Sequence, residues 1–243
     1  MLNKISTYFK IYGLKKIVFF ALSELLRRGY WELIRNSYSQ LQEDIEIDNL
    51  LNNKTKGFYV DVGANDPNRF NNTKHFYKKG WTGINIEPSF DKYMKFEKVR
   101  NRDINLNMGV ASQEGKLVFF QINVDTLSTF SEEIAQNYER QGYIITDRKN
   151  IGVHRLDYIF KTYASDKMID FITIDTEGYD MEVLKSNDWK QYRPKLICVE
   201  SAFHEITEKK NEHIKIEYSN FFSSIGYKKV FNNELNSIYM DKK

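Results

Sequence analysis

From Gly57 onward, short β-branched and aromatic runs alternate with stretches of helical periodicity, and this alternation limits what the chain can become more than any other feature. The strand-like runs are 58–62, 82–87, 104–110, 117–122, 171–176 and 195–200. Helical patterns at 70–79, 90–99, 131–141, 153–163 and 178–186 separate several of them. Strands that alternate with helices are joined by crossovers, so they are expected to lie mostly parallel in one α/β sheet. The last two runs, 227–231 and 237–240, are linked by the turn-rich Asn232-Asn233-Glu234-Leu235-Asn236. They are expected to close the sheet as an antiparallel hairpin.

Residues 1–50 carry no convincing strand and read as two helices, 3–28 and 30–49, broken near Gly29. In the first, Leu14, Ile17, Val18, Ala21, Leu22, Leu25 and Leu26 recur at three- and four-residue steps and make one apolar face. Seven Lys and Arg against Glu24 and Glu32 accompany it up to Arg35. The face is expected to pack on the domain or on a second subunit; the alternative is an anionic membrane surface. The expected division is a helical extension over 1–50 and one α/β domain over 51–243.

The run 17–22 follows Lys15 and Lys16 and leads into Glu24 without a small-residue cleavage site, so it does not read as a secretory signal. It is also far shorter than the roughly 20 residues that a spanning helix needs. A cytoplasmic location is expected, with membrane association through residues 1–50 as the alternative. The 36 basic and 33 acidic side chains leave a formal charge of +3, too even for a chain built to bind nucleic acid. Cys198 is the single cysteine, which excludes an intramolecular disulfide.

Several strand-like runs end in acids. The first gives Val60-Asp61-Val62-Gly63-Ala64-Asn65-Asp66-Pro67. In open α/β sheets ligands bind beyond the carboxyl ends of the strands, and a glycine there lets the backbone turn tightly beside one. Dinucleotide sites place three glycines in this loop, whereas this chain has one, followed by acid and proline. Such a loop is a poor pyrophosphate cradle and suits a cationic sulfonium with an amino-acid tail better. Glu87, at the end of the second run, can accept hydrogen bonds from ribose hydroxyls. After the third run, Asn107 can meet an adenine edge while Met108 packs on its face.

The fourth run delivers Asp175 and Glu177 to the same rim, and the fifth delivers Glu200 and His204. Asp175 can hold a ligand ammonium or an acceptor hydroxyl, and Glu177 can orient the acceptor. His204 suits a general base for an alcohol. Ser128 and Thr129, ahead of the helix at 131–141, can line an acceptor pocket. Each has a plainer reading: capping acids at a helix N-terminus, a surface histidine, Ser131 as a helix cap. Asp175, Glu177, Glu200 and His204 could also gather round a divalent metal, but no dense ligand motif is present and no metal is assigned.

Together these stretches resemble the FkbM family of class I methyltransferases. The resemblance covers about 54–239 and rests on Val60-Asp61-Val62-Gly63-Ala64-Asn65, the segment from Phe76 to Pro88, Asp103-Ile104-Asn105-Leu106-Asn107, Leu127-Ser128-Thr129, the segment from Asp170 to Gly178, and Asn187-Asp188-Trp189 leading to Arg193-Pro194. It implies a Rossmann-like, seven-stranded, mostly parallel sheet, S-adenosylmethionine as donor, and O-methylation. Members act on sugars of surface polysaccharides such as capsules, on macrolides and on other natural products. Asp61, Gly63 and Asn65 match the family's first donor-binding loop, Glu87 its ribose acid, and Asp175 and Glu177 its acidic pair. Many members have a second glycine where this chain has Asp66 and Pro67.

The expected activity is therefore S-adenosylmethionine-dependent O-methylation of a sugar-like acceptor, either a nucleotide-activated sugar or a polysaccharide component. His204 or Asp175 is the expected base, with Glu177 aligning the acceptor. Two rivals remain: an NAD(P)-dependent nucleotide-sugar oxidoreductase, which shares the acid-ended strands, and a non-catalytic binding protein that kept the fold.

Overall fold

The computed structural model describes residues 36–201 and 208–243, together with Gly29 and Glu32. The helix expected over 3–28 lies outside the described residues, and with it the membrane or subunit contact expected of residues 1–50. His204 lies outside them too. Ten described strands fall in two sheets: β1 (Phe58–Val62), β2 (Thr82–Ile86), β3 (Ile104–Leu106), β4 (Gly109–Val110), β5 (Gly115–Ile122), β6 (Ile145–His154), β7 (Phe171–Ile174), β8 (Leu196–Glu200), β9 (Tyr227–Asn232) and β10 (Asn236–Asp241). Seven form the main sheet in the order β3-β2-β1-β7-β8-β10-β9, and the other three form a small sheet, β4-β6-β5. In the main sheet β10 alone runs against its neighbours β8 and β9. This is the expected Rossmann-like sheet with a C-terminal hairpin.

Side chains alternate across the pleat and build a core on each face. Val60 and Val62, Ile172 and Ile174, and Ile197 and Val199 point to one face, where they meet Leu156, Ile159 and Phe160. Tyr59, Phe171, Leu196 and Cys198 point to the other, against Ile47, Phe76 and Trp81. The helices are α1 (Glu43–Leu50), α2 (Lys74–Lys78), α3 (Phe90–Val99), α4 (Glu132–Arg140), α5 (Leu156–Tyr163), α6 (Asp180–Lys185) and α7 (Glu208–Ser224); α4 packs not on the main sheet but on the small one, where Ile134 and Tyr138 meet Ile122. The cap expected of Ser131 is present, its Oγ accepting from the Ile134 amide at 3.3 Å.

Several elements differ from the sequence expectation, each for a local reason. The helix expected over 30–49 is, within the described residues, a loop at 36–42 followed by α1. Asp44 turns back to accept from the Ser37 hydroxyl and the Tyr38 amide, and such short-range bonds compete with helix. The run 104–110 is two strands in two sheets, because Asn107 donates to the carbonyls of Glu87 and Pro88 and turns the chain out after β3. Helix α2 is shorter than 70–79, since Asn71 is drawn towards the first strand and accepts from Thr73 in a local turn. Strand β6 has no counterpart in the sequence reading; five successive exposed residues hide its period. Helix α7 has none either, although Phe222 stacks on Tyr239 with ring centroids 3.8 Å apart.

Tyr59 faces Gly83 across the β1–β2 ladder, and its ring fills the place of the missing side chain. A Cβ at position 83 would meet that ring at 2.2 Å and the Tyr59 carbonyl oxygen at 2.5 Å. Gly83→Ala is expected to lower unfolding stability by about 1–3 kcal/mol. Urea titration checks this; an unchanged midpoint would mean that the ring moves aside freely.

Candidate active site

A cleft of about 270 Å³ opens over the carboxyl ends of β1, β2, β7 and β8, and most of the site residues expected from the sequence line it. The sheet places them there. Strand β1 is flanked by β2 and β7, with β3 beyond one and β8 beyond the other, so connections depart to opposite sides and leave a crevice between β1 and β7. Gly63 follows β1 with φ of +79°, and a Cβ there would meet the Asp175 carbonyl oxygen at 1.9 Å. Only glycine lets the two loops touch.

Asp61 belongs to the face of β1 that carries Tyr59. Its Oδ2 accepts from Asn71 Nδ2 at 3.2 Å and Thr73 Oγ1 at 3.0 Å. Burial raises its pKa to about 7 despite these bonds and the nearby Arg100, with Asp175 adding to the rise. Glu87 accepts from the Asn65 amide at 2.8 Å and the Ser89 amide at 2.7 Å, and burial likewise raises its pKa. Asn65 adopts φ of +56°, and its Oδ1 is buried at the cleft with no hydrogen-bond partner.

Across the crevice, Asp175 forms the floor, open to the cleft space yet surrounded by protein. Burial lifts its pKa to about 6, with Glu43 raising it further and Lys92 opposing. Glu177 takes φ of +53° ahead of Gly178, and its carboxylate accepts from the Tyr138 hydroxyl at 2.9 Å. Oxygens of Asp175, Glu177 and Glu200 come within 4.8 Å of one another. Three carboxylates this close can share a proton or take a hard divalent cation. Asp180 does not reach the rim: it is buried at the start of α6 and ties down the preceding loop by accepting from the Thr176 and Gly178 amides.

The small sheet supplies the opposite wall. Phe119 and Phe130 stand there with ring centroids 4.9 Å apart, beside Leu127, Ser128 and Tyr143. Two expected contacts are corrected. Thr129 is fully buried, donating to the Glu177 carbonyl and accepting from the Ser131 amide, so it supports the wall instead of facing a substrate. Asn107 is not part of the cleft lining, and both its donated hydrogen bonds go to the Glu87–Pro88 backbone; Met108 does line the cleft. Sequence reasoning missed Gln40, Asn71 and Lys92, which also line it. None lies in a strand-end motif, and only the fold brings them near.

A family model described as the methyltransferase FkbM domain matches residues 61–229. No match is found among curated proteins. Among solved structures, an FkbM methyltransferase from Methylobacillus flagellatus is 14% identical, with a TM-score of 0.46, covering 76% of this chain and 44% of that one. This chain thus spans less than half the length of that protein. A putative caffeoyl-CoA O-methyltransferase from Staphylococcus aureus is 9% identical, covering 90% and 91% of the two chains at a TM-score of 0.49. An O-methyltransferase from Bacillus cereus in complex with SAH is 11% identical, covering 91% and 90% at a TM-score of 0.40.

The buried acids give this fold a pH signature. Burial raises both Asp61 and Asp180 to about 7, above an ordinary 3.8, so folding takes up protons. Their contribution to stability is complete below the ordinary value and is lost as pH rises through about 7. Asp66 and Asp241 are lowered by their partners Lys95 and Arg193, and therefore act only at more acid pH. The melting temperature is expected to rise between about pH 8 and about pH 5. Asp61→Asn should flatten that rise; an equally steep rise in the variant would refute the assignment.

Proposed function

This chain belongs to the FkbM methyltransferase family, and we propose that it transfers the methyl group of S-adenosylmethionine to a hydroxyl of a small, sugar-like acceptor. The observation that carries this reading is the meeting of Asp175, Glu177 and Glu200 beside the β1 loop, an arrangement that would put the donor and a proton acceptor over one floor. The donor fits the residues present. The loop is acidic, and its amides are already used: those of Gly63 and Ala64 donate to the Ile86 carbonyl and that of Asn65 to Glu87. A dinucleotide needs such amides for its pyrophosphate, whereas a sulfonium with an ammonium tail needs carboxylates. The unpartnered Oδ1 of Asn65 is a ready acceptor for that tail.

Asp61, Asp175 and Asn65 would hold the amino-acid end of the donor, Glu87 its ribose, and Met108 the face of its base. S-adenosylmethionine supplies a methyl group that is already activated, so the protein's share is positioning and proton removal. Glu177, fixed by Tyr138, orients the acceptor hydroxyl, and the aromatic wall excludes water from the other side. Asp175 takes the proton, or His204 does. A sugar hydroxyl is a weak acid, so loss of its base is felt in the chemical step.

Calorimetry with S-adenosylhomocysteine and with NAD tests the donor; binding of NAD alone would overturn the reading. Glu87→Ala is expected to weaken S-adenosylhomocysteine by about 1–3 kcal/mol through lost charge-assisted bonds. On the acceptor side, Asp175→Asn and His204→Ala are compared for turnover. The variant lacking the base should lose roughly 10²–10⁴-fold in rate; His204→Ala should leave donor affinity within a few-fold, whereas Asp175→Asn also removes a donor contact and should weaken it. Wild-type turnover in both would exclude both as base. Activity lost to a chelator and restored by a divalent cation would assign the three carboxylates to a metal instead.

A further inference from the structure

The charge on the cleft walls is one-sided. Asp61, Glu87, Asp125, Asp175, Glu177 and Glu200 line it, and among the described residues Lys92 is the single cation that does. Lys92 is already engaged, since its Nζ donates to the Asp125 backbone carbonyl at 2.5 Å. Arg69 reaches the Asp125 carboxylate at 3.6 Å, and the buried Arg100 is spent on Asn71 and the Pro67 carbonyl. Phosphate sites rely on Arg or Lys forks, or on clustered free backbone amides.

The backbone amides of the loops after β1 and β7 are occupied too. Those of Gly63, Ala64 and Asn65 bond inward, as given above. On the acceptor side the Asp175 amide donates to the Val62 carbonyl, and the Thr176 and Gly178 amides donate to Asp180. The remaining wall is apolar and aromatic, formed by Phe119, Phe130, Leu127 and Tyr143. An aromatic face opposite carboxylates suits a polyhydroxylated ring, its C–H face stacked and its hydroxyls donating.

We propose that the acceptor is a hydroxyl compound, neutral or cationic, such as a glycan unit already freed of its nucleotide, and that a phosphate-bearing, nucleotide-activated sugar is excluded by the carboxylates of the cleft and the occupied amides of the loops after β1 and β7. The inference rests on the methyltransferase reading and names the substrate class of that same site. It also places the reaction after, not before, the step in which a glycosyltransferase releases the nucleotide diphosphate.

The test uses the full chain saturated with S-adenosylhomocysteine, titrated calorimetrically with uridine, guanosine and thymidine diphosphates. None is expected to saturate the protein at concentrations about a hundredfold above the S-adenosylhomocysteine dissociation constant, because like charges are brought together. Saturable binding of any one, displaced from the cleft by Ser128→Trp, would overturn the proposal. Should S-adenosylhomocysteine itself fail to bind, the donor reading falls; the same titrations on the ligand-free chain then decide the charge question separately. In turnover, a sugar offered as its methyl glycoside should release S-adenosylhomocysteine at least about tenfold faster than the same sugar as its 1-phosphate. Equal or reversed rates would overturn the proposal.

Discussion

The site depends on one backbone contact, the approach of Gly63 to the Asp175 carbonyl oxygen, which leaves no room for a Cβ. Strands β1 and β7 are neighbours in the sheet although more than a hundred residues separate them in the chain, and Val62 pairs with Ile174. Their loops therefore leave the sheet side by side. The crevice there is the switch point of the topology, and acids at the strand ends face one another across it. A side chain at position 63 would force the loops apart and separate the residues expected to hold the donor from those expected to receive the acceptor's proton.

Holding so many carboxylates together is costly, and the protein meets the cost differently at the two ends of the sheet. Away from the cleft, the buried Asp170 pairs with Lys54 and Lys195, the buried Asp48 with Lys79 and the His75 ring, and the partly buried Asp241 with Arg193. At the cleft the hydrogen bonds come from neutral groups. Asp61 takes an amide and a hydroxyl, Glu87 and Asp180 take backbone amides, and Glu177 takes a tyrosine hydroxyl. Neutral donors satisfy lone pairs without cancelling charge. The result is a polar network that is well bonded locally and still electronegative; burial, with the neighbouring acids adding to it, raises the pKa of Asp61, Asp175 and Asp180, and the site favours a cationic ligand.

How much of this was legible in the sequence follows from where each signal resides. The central strands were readable because their runs are apolar on both faces, and the acids stood out because they end those runs. The hairpin was readable from its Asn-rich turn. Strand β6 was not, since its side chains are mostly solvated and its ladder with β5 is held by backbone bonds that leave no period in the sequence. Thr129 and Asn107 looked like site residues because they sit beside Ser128 and Met108, which line the cleft. Whether a hydroxyl or amide faces a cleft or ties down its wall is decided by tertiary contacts that spacing does not encode. Lys92 and Asn71 were invisible for the converse reason: each lies within or before an ordinary amphipathic helix.

The least legible part is the end wall of the cleft, and its construction explains why. Gln40 and Leu235 line the cleft, yet both lie outside residues 61–229, where the family's own pattern is found. They are held together by Glu43, which is fully buried. One of its oxygens accepts from the side chains of Asn233 and Asn236 at 2.8 Å each, and the other accepts from the Leu41 amide at 2.8 Å. Asn236 in turn is the register partner of Glu200. A single carboxylate thus fastens the segment before the first strand to the turn of the last hairpin, beside the acids of the floor. On the other side the Tyr38 carbonyl accepts from the Asn71 amide, which ties the same segment to the loop that bonds Asp61. The pocket is therefore closed by parts of the chain that lie outside the family's matched pattern, and their hold on it rests on one buried carboxylate and one backbone bond.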